Sequence, residues 1–168
     1  PASRVPLLLR QIPIWRDEIV TGYVDLALER AFIYREHAAS EVVPLEGEHL
    51  DAGKAARFHM LETLADHDDS LMEQLLEDID PPRDRIFDDL AKELREGLVT
   101  PVLIGSALKA NGIQRLLKAL RHEIPGLTDT KKRLGVTSET DTISYVVKRL
   151  YTSHGGKMSI TRVLSRQV

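Results

Sequence analysis

The chain has 168 residues, a net charge of −3, 42% hydrophobic and 29% charged residues, and no cysteine. That length suits one ordinary domain or two small ones, and the composition is that of a soluble globular protein. Disulfides and thiolate metal sites are excluded, and no apolar run approaches the roughly 18 residues of a membrane-spanning helix. The charge is unevenly placed. From Glu62 to Asp80 every Asp, Glu, Lys or Arg is acidic (Glu62, Asp66, Asp68, Asp69, Glu73, Glu77, Asp78, Asp80), whereas after Asp141 every one is basic (Lys148, Arg149, Lys157, Arg162, Arg166). Such asymmetry suggests different partners for different parts. The basic end suits nucleic acid phosphates or, equally, an ordinary strand surface.

The first segment, residues 4–45, reads as strands. Val5 to Ile14 is apolar and interrupted by Pro6 and Pro13, Val20 to Leu26 carries β-branched residues around Gly22, and Ala31 to Tyr34 and Glu41 to Pro44 are short. Residues 51–96 read as helices that bury themselves against that sheet. Asp51 is a plausible N-cap, and Phe58, Leu61 and Ala65 lie on one face. Met72, Leu75, Leu76 and Ile79 repeat the helical template, Asp80 can cap the next helix, and Phe87, Leu90, Ala91 and Leu94 give that helix its buried stripe before Gly97 ends it. Val99 to Ile104 then forms a short strand, followed by the small-residue loop Gly105-Ser106-Ala107-Leu108-Lys109. A helix with Ile113, Leu116, Leu117 and Leu120 at i, i+3, i+4 and i+7 comes next, before Pro125. A tight loop at the end of a strand leaves N–H groups pointing outward, where α/β folds bind ligands. Residues 127–141, rich in Thr, Lys and Asp, read as a linker, and Ile143 to Tyr151 opens a new strand set in which Gly155-Gly156 forms a hairpin turn.

Gly105-Ser106-Ala107-Leu108-Lys109, then Asn111-Gly112, then the amphipathic helix closely resembles the last guanine-contacting motif of translational GTPases, nearest to the elongation factor G-like family. The remaining chain is similar to the same family in the same order. Thr21-Gly22-Tyr23-Val24-Asp25-Leu26 and Ala31-Phe32-Ile33-Tyr34 look like two of its strands, Glu48-His49-Leu50-Asp51 through Leu76 like the first long helices of its inserted subdomain, and Thr142 to Val168 like the opening strands of its β-barrel second domain. The resemblance implies an α/β fold with an α+β insert, a mixed sheet packed by helices. Residues 1–97 would be the insert, 98–126 the last strand, loop and helix of the nucleotide domain, 127–141 a linker and 142–168 the start of the barrel. It also implies that the backbone N–H groups of Ser106, Ala107 and Leu108 face the guanine O6. The intact protein would be a cytoplasmic GTPase using GTP/GDP and Mg²⁺ and acting in translocation on the ribosome. Its partners would be the ribosomal stalk protein at the acidic helices (Asp66, Asp68, Asp69 and Glu73) and ribosomal RNA near the second domain, with no membrane.

Parts of a GTPase are missing from this sequence. A phosphate loop needs a Gly-rich run ending in Gly-Lys-Ser/Thr, and no Gly-Lys here is followed by Ser or Thr: Gly156-Lys157 precedes Met158 and Gly53-Lys54 precedes Ala55. There is no Asn-Lys-x-Asp tetrad and no Mg²⁺-binding switch element. The sequence therefore reads as an interior segment of a larger GTPase that does not itself hydrolyse GTP or hold nucleotide. Two details depart from the family: the Arg16-Asp17-Glu18 segment is short, and Arg166 follows Ser165 where glycine is usual. Both suit a paralogue, such as a ribosomal-protection or release-factor-type GTPase, as well as the main translocase. A stand-alone α+β interaction module is a second reading. A metal phosphohydrolase built on His59, His67 and Asp68 is a third, but histidines eight apart on a helix stand about 12 Å apart along its axis, too far for one ion. The other histidines, His37, His49, His122 and His154, are scattered.

Overall fold

The computed structural model describes residues 3–36, 38–138 and 141–165. His37 and Arg166, both weighed above, lie outside them. The chain divides into two compact units at the Ile124/Pro125 junction.

In the first unit the apolar run from Val5 splits into β1 (Leu7–Leu9) and β2 (Gln11–Arg16), which join different sheets. β1 pairs in parallel with β6 (Thr100–Val102). β2, β3 (Ile19–Asp25), β4 (Arg30–Ile33) and β5 (Glu41–Val43) form a four-stranded antiparallel sheet in that order. Pro13 is tolerated because β2 is an edge strand, where a missing N–H costs no ladder bond. The two sheets meet at Arg10, whose N–H donates to the Val102 carbonyl and whose carbonyl accepts from the Leu26 N–H. With helices covering both parallel and antiparallel strands, the α/β class holds.

Helices α1 (Gly47–Ala65), α2 (Asp69–Leu76) and α3 (Arg83–Glu96) bury one face of the antiparallel sheet. The core unites Val24, Leu26 and Ala31 of the sheet region with Met60, Leu61 and Leu64 of α1, Leu71 of α2, and Ile86 and Leu90 of α3. Three expectations about these helices need correction. Asp51 is an exposed residue inside α1, which begins a turn earlier behind Glu46. Asp80 does not cap α3, whose N-cap is Pro82; its carboxylate instead accepts from Arg57 at 3.0 Å. Phe58 is exposed because α1 buries Arg57, Met60, Leu61 and Leu64 instead, and Leu76 and Ile79 are exposed because α2 ends at Leu76 and buries Leu71 in their place. Gly97 does close α3, in the left-handed conformation.

In the second unit the stretch read as a linker carries a short helix, α5 (Leu127–Arg133), started by the Gly126 N–H donating to the Asp129 carboxylate. β7 (Ile143–Thr152) and β8 (Gly156–Ser165) form a long antiparallel hairpin, turning ahead of Gly156 as expected.

Candidate functional site

The loop between β6 and α4 (Ile113–Glu123) is built by two close backbone approaches. The Ser106 N–H donates to the Asn111 carbonyl at 2.9 Å, closing a turn in which the Ala110 N–H reaches the Ala107 carbonyl. A Cβ on Gly105 would lie 2.6 Å from the Asn111 oxygen, and one on Gly112 2.5 Å from the Ile104 oxygen. Gly112 also sits at φ 76 as the N-cap of α4. Only glycine satisfies both demands. Of the three amides singled out in the sequence, that of Ser106 is thus used inside the turn. Among the described residues no backbone carbonyl takes up the N–H groups of Ala107 or Leu108, and the Leu108 side chain is fully exposed.

The antiparallel sheet holds this loop from behind. Ile104, the last residue before it, donates its N–H to Gln11 Oε1 at 2.8 Å, while its carbonyl accepts from the Tyr34 hydroxyl at 3.2 Å. Gln11 is completely buried. One turn into α4, Arg115 Nε donates to the buried carboxylate of Asp25 at 2.7 Å, whose other oxygen accepts from the Leu28 N–H at 3.0 Å. At the far end of α4, Glu123 pairs with Arg10 at 2.8 Å, and both are buried; the Arg10 guanidinium also lies 5.7 Å from the Phe87 ring centroid. α4 therefore turns Arg115 and Glu123 inward. Ala119 and Glu123 are its buried positions, while Leu116, Leu117 and Leu120 are exposed. Gln11, Asp25, Arg10, Arg115 and Glu123 escaped the sequence reading; Asp25 lay within a quoted motif, but nothing local announces a partner 90 residues away.

Burial governs the titration of nearby groups. Desolvation, helped by the Asp25 charge, pushes the Tyr23 hydroxyl up to about 12, and desolvation likewise raises Tyr34. On α3, burial and then the Asp89 charge push the Glu93 carboxyl up to about 7. Asp89 is itself raised, first by burial and then by Asp68.

The acidic residues divide by role. Asp68 is the N-cap of α2: its Oδ1 accepts from the Ser70 and Leu71 N–H groups at 2.9 and 3.0 Å and lies 3.2 Å from Arg85. The Ser70 hydroxyl bond, then the Leu71 amide, hold its carboxyl below the usual range. Asp66, Asp69 and Glu73 are exposed. His59 pairs with Glu62 at 2.9 Å, and among the described residues no group of three or more His, Asp or Glu is placed to hold a metal ion. No described helix is long and apolar enough to cross a membrane.

No protein-family model matches the chain. Among curated proteins it is 36% identical over 163 residues to an elongation factor G-like protein of Synechocystis sp., covering 96% of this chain and 24% of that protein. It is 33% identical over 126 residues to elongation factor G 1 of Borreliella burgdorferi, covering 74% and 18%. A crystal structure of a Thermus thermophilus protein shares the fold, with a TM-score of 0.75 at 20% identity over 96% of this chain and 23% of that one. The chain thus spans about a quarter or less of the length of the proteins it matches, and it belongs to the elongation factor G-like family as a segment of that length.

Proposed function

We propose that this segment of the elongation factor G-like family is part of a GTP-binding translation factor that works on the ribosome. The observation that carries the reading is the loop at Gly105 to Leu108, fixed by two glycine approaches in front and by Gln11 and Tyr34 behind. Exposed amides on a braced turn suit an electronegative ring oxygen such as the guanine O6, since donors that need no rearrangement bind at least entropic cost. Ala107 and Leu108 supply those amides, and Ser106 shapes the turn. GTP would bring the phosphoanhydride to be hydrolysed, and the residues that hold its phosphates and Mg²⁺ lie outside this sequence.

In this reading residues 1–97 are the inserted subdomain, 98–126 the end of the nucleotide domain, 127–141 the connection and 142–168 the start of the β-barrel, near ribosomal RNA. The exposed carboxylates Asp66, Asp69 and Glu73 present a negative face to the ribosomal stalk protein. Such a face steers encounter more than it sets affinity. Asp68 contributes less, being already engaged as a cap.

Fluorescent GDP and ADP titrated against the intact protein test the guanine assignment. GDP binds more tightly than ADP, and Ala107→Pro, which removes one donor, weakens GDP about tenfold. Ser106→Gly keeps its amide and leaves GDP affinity within a factor of about three. Equal affinity for GDP and ADP overturns the assignment.

A further inference from the structure

The antiparallel sheet has two faces, and only one is used by the core. Side chains alternate across a strand, so Val24 and Ala31 face the helical core while Tyr23, Phe32 and Val42 form a row across three strands on the other side. A solvent-facing row is expected to be polar. This one is aromatic and aliphatic: the Tyr23 and Phe32 rings stack at 5.0 Å, and the row runs from buried Tyr23 to Val42, which is 55% exposed. It floors an open groove of about 1400 Å³ walled by α3 and by α4 with its preceding loop.

The rim has the opposite character. Lys92 of α3, Lys109 of the loop and Lys118 of α4 line it, and among the described residues no carboxylate lies within 4.0 Å of any of their ammonium groups. Asp88 and Asp89 of α3 line the groove as well, Asp89 lying 3.7 Å from Arg85, so Lys92, Arg95, Lys109, Arg115 and Lys118 stand against Asp88, Asp89 and Glu123. Arg115 is paired with Asp25 and Glu123 with Arg10, while Arg95 spends its Nε on the Glu123 carbonyl and keeps its charge. A surplus of positive charge here is not inherited from composition, because the whole chain is net −3.

We infer that this groove docks an acidic segment of a partner protein carrying large apolar side chains, the apolar groups on the Tyr23–Phe32–Val42 floor and the carboxylates at Lys92, Lys109 and Lys118. The volume exceeds the roughly 300–1,000 Å³ of a typical small-molecule pocket, which favours an extended chain segment over a compact ligand. The charge match supplies the sign of the partner, and the apolar row supplies the anchors that dominate affinity. The site goes beyond the nucleotide reading and needs none of it.

Random linear peptides displayed on phage and selected on the intact protein provide the probe, each enriched sequence being remade with a fluorophore. The enriched peptides are net acidic and contain Leu, Ile, Phe or Trp, and their binding weakens as salt rises. Lys92→Glu with Lys118→Glu weakens them by roughly tenfold or more. All three groove lysines are exposed, so these variants keep the fold. Lys54→Glu, on the exposed side of α1 and outside the groove, leaves binding unchanged. Enrichment of neutral or basic peptides, binding indifferent to the double reversal, or displacement by GDP or inorganic phosphate would each overturn the inference. So would self-association of the intact protein abolished by the same reversal, which would assign the groove to a second copy.

Discussion

Removing the charge of Asp25 while keeping its shape tests how the sheet braces the helix behind the loop. Asp25→Asn retains an oxygen for the Leu28 N–H but leaves the Arg115 guanidinium, 11% exposed, without a counter-charge. Breaking a buried ion pair at one partner costs about 3–5 kcal/mol, and the residual exposure of Arg115 places this pair near the lower end, about 3 kcal/mol. Arg115 Nη2 already lacks a hydrogen-bond partner, so no second contact absorbs the loss. Trp15, the single tryptophan, lies in β2 of the same unit and reports its unfolding. With a urea dependence of about 1–3 kcal/mol per molar, the midpoint falls by about 1–3 M. Adding Arg115→Met removes the stranded cation and recovers most of the loss, because an apolar replacement of a buried pair is close to neutral. A midpoint change equivalent to less than about 1 kcal/mol, or a double variant as unstable as the sum of the singles, refutes the reasoning.

Glycine substitutions separate strain from collision. Gly97→Ala, at φ 74 with open space around it, costs about 1 kcal/mol, whereas Gly112→Ala, at φ 76 and facing the Ile104 oxygen, costs about 2 kcal/mol or more in urea unfolding. Glu93 gives a pH signature. Its folded pKa of about 7 stands above the ordinary 4.5, so the folded state holds the proton more tightly. Its contribution is full below about 4.5 and is lost as pH rises through about 7. Urea midpoints at pH 5 and pH 8 then show a decline in the wild type that Glu93→Gln removes; an equal decline in both refutes it. Asp69→Lys with Glu73→Lys alters only exposed side chains, keeps stability within about 0.5 kcal/mol, and slows stopped-flow association of the intact protein with the stalk protein's C-terminal domain. An unchanged rate removes these residues from the partner surface.

The order of strands and helices was legible because hydrophobic period and turn residues act locally. The helix starts at Asp51 and Asp80 were misplaced for the same reason: an aspartate ahead of an apolar run resembles a cap whether its carboxylate reaches a backbone N–H, as Asp68 does, or a distant arginine, as Asp80 does. The loop at 105–108 stood out through its small residues. Its bracing did not, since Gln11 and Tyr34 reach Ile104 across 93 and 70 residues. Nor could sequence show that the Ser106 amide closes the turn, because that depends on where Asn111 returns.

α4 turns Arg115 and Glu123 inward, which reverses the usual guide to which residues a protein can spare. Ranking its positions by hydrophobicity would protect Leu117 and treat Arg115 and Glu123 as surface decoration. Yet Leu117 is 58% exposed while Glu123 is 5% exposed. A lysine in place of Arg115 would not pass as conservative, because the fork that reaches Asp25 is what holds the helix in place.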